Sequence, residues 1–224
     1  MDKQKNLVVH PGFGNLSKTM FNAILYHFPD NASLEKAGLI HRLDKDTTGL
    51  IIIARNMLSM FFLKKEIKFK KIIKKYEAIV IGNIKKNNII NKPILRDKII
   101  KNKMSINKNG KIAITKYKIL EKFNNYTHII INLKTGRTHQ IRIHMASCNY
   151  PLLGDKLYNK KKKKYYKNMK KIYKKKIKKI INFPRPALHS TIIKFKHPNK
   201  KKNIKITSKL PKDMSIIINL LKKM

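Results

Sequence analysis

Apolar positions along the chain recur in two rhythms. In "KTMFNAILYHF", Phe21, Ile24, Leu25 and Phe28 fall three or four apart, the spacing that gathers side chains on one face of a helix. Residues 56–70 and 211–223 also suit helices. "GLIIIAR" is different: a continuous apolar run bounded by Gly49 and a charge, which predicts a strand buried on both faces. "KKYEAIVIGNI" has the same character around Ile79–Ile81, "THIIINLKTGR" predicts another strand, and residues 111–120 alternate. A strand pair is predicted over 187–196 and 203–207. "NLVVHPGFGN" reads as a short strand running into a turn with Pro11, Gly12 and Gly14; no helix follows at the spacing a dinucleotide site needs. "THQIRIHMASCNYP" predicts a helix from near Thr138, stopped by Pro151.

Strands and helices do not alternate regularly. The expected class is therefore α+β, a mixed and mostly antiparallel sheet flanked by helices. No internal repeat is visible, and 224 residues suit one domain spanning 1–224. No run of 18 apolar residues is present to span a membrane. The start, "MDKQKNLVVHPG", lacks the apolar stretch of a secretory signal, so a cytoplasmic location is expected. Cys148 stands alone, which excludes intramolecular disulfides and Cys-based metal sites; inside "HMASCNYP" it reads as a small core residue.

Charge changes the picture next. Lys plus Arg total 54 against 11 acidic residues, for a formal net charge of +43. A cytoplasmic partner for such a chain is a polyanion, and above all nucleic acid. Lys, Ile and Asn are also what adenine- and thymine-rich codons specify, so the charge permits RNA binding without requiring it. Arginine is more telling, because Lys replaces it on a solvated surface but not at a bidentate or stacked site. The arginines are Arg42, Arg55, Arg96, Arg137, Arg142 and Arg185. Four of them fall in "HRLD", "TGRTHQIRIH" and "FPRPALHS". Residues 160–179 hold 13 Lys among Tyr, Ile, Met and Asn, a low-complexity insertion that is either a codon-driven solvated surface or a phosphate-contacting arm.

The chemistry-bearing residue that stands out is Asp44, a carboxylate two residues after an Arg in an acid-poor chain. It could act as a nucleophile, a base or a metal ligand. Metal binding is disfavoured: no Cys cluster and no H-E-x-x-H occurs, and His139 and His144 are five apart and do not share a helical face. Ordinary glycosidase chemistry needs two opposed carboxylates, and Asp46 is only two residues away. One carboxylate acting on a sugar–base bond fits better. In a helix from Thr138, Ile141 and Met145 face the core, and Arg142 lies about 100° around from Ile141. Arg142 is then free to point into a cleft, where its charge and the helix N-terminus would hold a nearby Asp ionised. Arg137 and Arg185 are candidate phosphate contacts. His41 and His189 read as structural, and Asp46 and Thr47 as loop-shaping.

Four segments in order, "HRLDKDTTGL", "KKYEAIVIG", "KTGRTHQIRIHMASCNYPLLGDKLY" and "RPALHS", resemble the RluA-type pseudouridine synthases. The likeness runs from Asn6 to about Met214. The resemblance implies the pseudouridine synthase catalytic fold with a basic active-site cleft, and conversion of uridine to pseudouridine without cofactor or metal. It places the family's bond-attacking Asp on Asp44, its base-stacking Tyr on Tyr76, the Arg that pairs with the Asp on Arg142, and the Arg that enters the RNA stack on Arg42. It implies a target uridine in large-subunit (23S) ribosomal RNA, in the stem-loop facing the small subunit; the expected partner is ribosomal RNA and the expected state a monomer. The alternatives are another rRNA or tRNA uridine, or a non-catalytic RNA-binding or ribosome-assembly protein that kept the fold. Two departures stand out. The S4-type RNA-binding domain usual before such a catalytic domain is expected to be absent, and Lys134 stands where an acidic residue is usual.

Overall fold

A computed structural model describes residues 1–100, 102–159 and 174–224. The span expected to be one domain gathers into two compact units: Met1–Lys74 with Ser190–Lys209, and Lys75–His189 with Leu210–Met224. The first unit holds β1 (Asp2–Lys3), α1 (Met20–His27), β2 (Thr48–Leu50) and α2 (Met57–Lys68). The chain passes into the second unit along β3 (Ile73–Ile81). There follow β4 (Asn88–Asn91), β5 (Ile94–Arg96), β6 (Met104–Ile106), β7 (Ile114–Phe123), β8 (Tyr126–Leu133), α3 (Gln140–Ser147) and α4 (Lys174–Ile181). Strand β9 (Leu188–Lys196) returns to the first unit, where β10 (Asn203–Thr207) pairs with it antiparallel, and α5 (Lys212–Lys222) closes the second. The expected α+β class is what the elements form.

In the first unit, β1 and β2 pair antiparallel, and Leu50, Ile52, Leu63, Ile72 and Ile193 share a buried cluster. In the second, the strand order is β3-β8-β7-β4, with β7 antiparallel to both neighbours, and β5 and β6 form a separate antiparallel pair. Helix α5 buries Met214, Ile217, Ile218 and Leu221 against Ile79, Ile81 and Leu153, the three-and-four spacing of an amphipathic helix on a sheet.

Two expected elements differ, each for a local reason. "NLVV" is not a strand. The carbonyls of Val8 and Val9 accept the Met20 and Phe21 amides at 2.8 and 3.0 Å, so they satisfy the first turn of α1 and leave no ladder. Helix α3 ends at Ser147, before Pro151: Asn149 takes a left-handed φ of 65°, and the Tyr150 amide returns to the Met145 carbonyl at 3.0 Å. Cys148, just past that end, is partly rather than fully buried. Of the lysine-rich stretch 160–179, residues 160–173 lie outside the described residues, and Lys174 begins α4.

Candidate active site

The "HRLD" loop lies in the first unit, and its course follows from Gly38. That residue sits at φ +78°, and an added Cβ would stand 2.2 Å from the Ala54 carbonyl oxygen. The close approach lets the Ala54 amide bond to the Gly38 carbonyl at 2.8 Å and brings Leu39 opposite Ile53. The next strand-like bond comes from a side chain: His41 Nε2 accepts the Ile52 amide at 2.9 Å. Burial, and then the charges of Lys74 and the N-terminal ammonium, push the His41 imidazole down to about 3, so it is neutral at ordinary pH. The structural role expected for His41 is what this geometry supports.

Beyond His41 the chain turns, with the Thr47 amide bonded to the Asp44 carbonyl at 3.1 Å. The turn is tied down by Lys3, which is 2% exposed. Its ammonium donates to the carbonyls of Gln4, Leu7 and Lys45 at 2.8, 2.9 and 2.8 Å. A buried ammonium is costly unless its donors are used, and all three are used here. Asp44 and Asp46 are half-buried on this turn, and Arg42 is exposed beside it. After burial itself, the charges of Lys36 and Arg42 hold the His10 imidazole below its ordinary value, which puts those two cations near His10.

In the second unit, Tyr76 opens the buried half of β3 and is 5% exposed, so little of its ring meets solvent. Arg137, exposed, precedes α3 and bonds the Ile112 carbonyl through Nε at 3.2 Å. The turn into α3 is organised by buried Gln140. Its Oε1 accepts from the Arg137 amide and Thr135 Oγ1 at 3.0 and 2.8 Å, and its Nε2 donates to the Ile114 carbonyl and Thr115 Oγ1 at 3.1 and 3.0 Å. His144 is fully buried between Thr115 Oγ1 (2.8 Å) and the Lys92 carbonyl (2.9 Å), and burial lowers its pKa.

Arg142 is held by a bidentate ion pair and an aromatic ring. Its Nε and Nη2 donate to the Asp155 carboxylate at 2.7 and 2.9 Å, and its guanidinium carbon lies 5.2 Å from the centre of the Tyr158 ring. Reasoning from sequence missed Asp155 and Tyr158. The signal was there: the scarcity that marks Asp44 marks Asp155 equally, and "GDKLY" was already part of the resemblance.

Arg185 requires a correction. It is 3% exposed, with Nε and Nη2 on Asp213 at 2.9 Å each and Nη1 on the carbonyls of Pro186 and Leu188 at 3.2 Å. A guanidinium so enclosed joins the start of β9 to α5. It is not presented to a phosphate. Scarce arginines do mark places that need a planar fork, but at Arg142 and Arg185 a buried or half-buried carboxylate occupies that fork.

The site residues thus divide, with Arg42 and Asp44 in the first unit and Tyr76, Arg137, Arg142 and Arg185 in the second. Among the described residues no group of three or more His, Cys, Asp or Glu could hold a metal ion.

Comparison with known proteins adds to this geometry. The family described as RNA pseudouridylate synthase matches residues 1–147. Ribosomal large subunit pseudouridine synthase D of Buchnera aphidicola subsp. Baizongia pistaciae is 48% identical over 223 residues, covering 100% of this chain and 69% of that protein. The protein of the same name from Pseudomonas aeruginosa is 39% identical, covering 99% of this chain and 68% of its own. Among solved structures, human RNA Pseudouridylate Synthase Domain Containing 4 shares the fold with a TM-score of 0.75 at 21% identity, over 99% of this chain and 88% of that one. Matched over most of its length by the family and over all of it by a relative at 48% identity, this chain belongs to the RNA pseudouridylate synthase family.

Proposed function

We propose that this chain isomerises uridine to pseudouridine in large-subunit (23S) ribosomal RNA, at a uridine in the stem-loop that faces the small subunit, in the cytoplasm. The observation that carries the reading is full-length similarity at 48% identity to a relative named for large-subunit pseudouridine synthesis.

The target base must first leave its stack, because C1′ and C5 are inaccessible within one. Exposed Arg42 takes the place the base vacates, and Tyr76 packs against the flipped uracil. The ionised Asp44 carboxylate attacks C1′ as the N1–C1′ bond breaks, and uracil leaves as an anion. The uracil turns so that C5 faces C1′. The C5–C1′ bond then forms as the carboxylate departs, C5 gives up its proton, and N1 gains one. No atom is added or lost. Arg142 keeps Asp44 ionised and opposes the charge that moves between carboxylate and uracil. Arg137 holds a phosphate, while Arg185 supports the frame.

The test is to map pseudouridines in an unmodified 23S rRNA transcript after incubation with the wild-type chain and with Asp44→Asn. New pseudouridine in that stem-loop made by the wild type, and a rate at least about a thousandfold lower in the variant with RNA binding retained, is the expected outcome. Modification of a tRNA transcript instead would replace the substrate. An unchanged rate in Asp44→Asn would remove Asp44 from its role.

A further inference from the structure

We propose that Asp155 is a positioning residue for this reaction, setting both the orientation and the charge of Arg142. The proposal rests on Arg142 acting as described above. Arg142 is on α3, but the carboxylate that grips it comes from the short turn after Gly154. Gly154 has φ +74°, and a Cβ there would lie 2.0 Å from the Arg185 carbonyl oxygen. That segment is pinned on both sides: the Leu153 amide bonds the Ile79 carbonyl at 2.9 Å, and the Ala187 amide bonds the Leu153 carbonyl at 2.8 Å. The enclosed Arg185–Asp213 pair fixes the 185–188 stretch in turn. Asp155 therefore starts from a backbone position with little freedom, and it is fully buried.

Its carboxylate does two things at once. Oδ1 caps its own turn, accepting the Leu157 and Tyr158 amides at 3.0 and 3.2 Å, while both oxygens hold Arg142. The capped turn delivers Tyr158, whose ring lies under the guanidinium and whose hydroxyl meets His139 Nδ1 at 3.0 Å and the Met104 amide at 2.8 Å. His139 stands at the start of α3 with a left-handed φ of 54°. The guanidinium is thus fixed in its plane by Asp155 and over a face by Tyr158, and Tyr158 is itself held to the start of the same helix. This clamp sets where the remaining edge of a planar cation points. It also offsets part of the cation's charge, so that Arg142 can hold a carboxylate ionised without binding it too tightly to react.

Asp155→Asn keeps one carbonyl oxygen for the turn amides and turns an amide donor toward Arg142, so it releases the fork while preserving the cap. Measured on a 23S rRNA fragment at saturating RNA, its single-turnover rate should fall about tenfold to a hundredfold, with RNA affinity within about twofold of wild type. In an Arg142→Lys background the same substitution should cost less than about threefold, since the fork it served is gone. Equal losses in the two backgrounds, or a wild-type rate for Asp155→Asn, would overturn the proposal. If Asp155→Asn does not fold, Tyr158→Phe decides: it keeps the ring but removes the hydroxyl bonds, and its loss of rate must likewise shrink when Arg142 is Lys. Arg142→Lys alone separates the two layers. A wild-type rate there would fell the assignment of Arg142 itself. A slow Arg142→Lys beside a fast Asp155→Asn would fell only Asp155.

Discussion

The two units hold their proposed site residues by different means. The Asp44 turn is fixed by bonds to backbone: neutral His41 accepting the Ile52 amide, and Lys3 donating to three carbonyls. Arg142 and its frame are fixed by side-chain ion pairs, Arg142 on Asp155 and Arg185 on Asp213. Backbone-directed bonds fix the course of the loop that carries Asp44. A bidentate pair commits the guanidinium it holds and fixes its plane. One arrangement fixes the loop that carries a side chain, the other fixes the side chain itself.

The strongest way to break this contrast is to remove an ion-pair partner from the frame. Asp213→Ala would take from buried Arg185 the carboxylate that its Nε and Nη2 hold. A charge stranded in this way costs about 3 kcal/mol. Urea unfolding should show that loss, and the rate per folded molecule should stay near wild type, because Arg185 touches no substrate in the proposed mechanism. A variant as stable as wild type would mean that the pair does not support the frame.

How far the sequence reaches follows the same division. Helix α5 was legible because Met214, Ile217, Ile218 and Leu221 repeat with helical period, and β3 because residues 78–81 form a continuous apolar run. Strands β4, β5 and β6 were not legible: "NIIN", "ILR" and "MSI" are too short to show a period, and pairing alone makes them strands. At the site, Asp44 and Arg142 stood out by residue type and neighbours. Asp155 did not, because its meaning lies in a contact across 13 positions that depends on the Gly154 turn. Arg185 was misjudged for the converse reason, since nothing local to "FPRPALHS" announces the carboxylate 28 positions on.

The contrast sharpens with pH. The His41 imidazole sits at about 3 in the fold, while its unfolded value is near 6.5. Below pH 6.5 the unfolded chain binds a proton that the folded chain refuses, so this group takes away stability as pH falls toward 3 and has no effect above 6.5. Between pH 6.5 and pH 5 the loss should be about 2 kcal/mol. The His41→Gln variant, whose amide oxygen can still accept from Ile52, should lack that part of the slope. Urea denaturation at the two pH values checks it, and equal slopes in variant and wild type would exclude His41 as the source.

The smallest effect is expected at the arginine that neither kind of support encloses deeply. Arg137 is exposed, and one bond runs from its Nε to the Ile112 carbonyl at 3.2 Å. The turn into α3 does not depend on that side chain, because Gln140 reads the Arg137 backbone amide, which any residue but Pro supplies. Arg137→Ala should therefore leave stability within about 0.5 kcal/mol of wild type. If Arg137 neutralises one phosphate, its loss should weaken binding of an rRNA fragment a few-fold and reduce the slope of log affinity against log salt by about 0.7 to 0.9. The single-turnover rate at saturating RNA should not change. Asp213→Ala should do the reverse, lowering stability while leaving the salt slope alone. A salt titration of both variants beside wild type reads the difference. An unchanged slope in Arg137→Ala would return that side chain to the solvated surface and leave Arg42 as the exposed arginine of the proposed RNA contact.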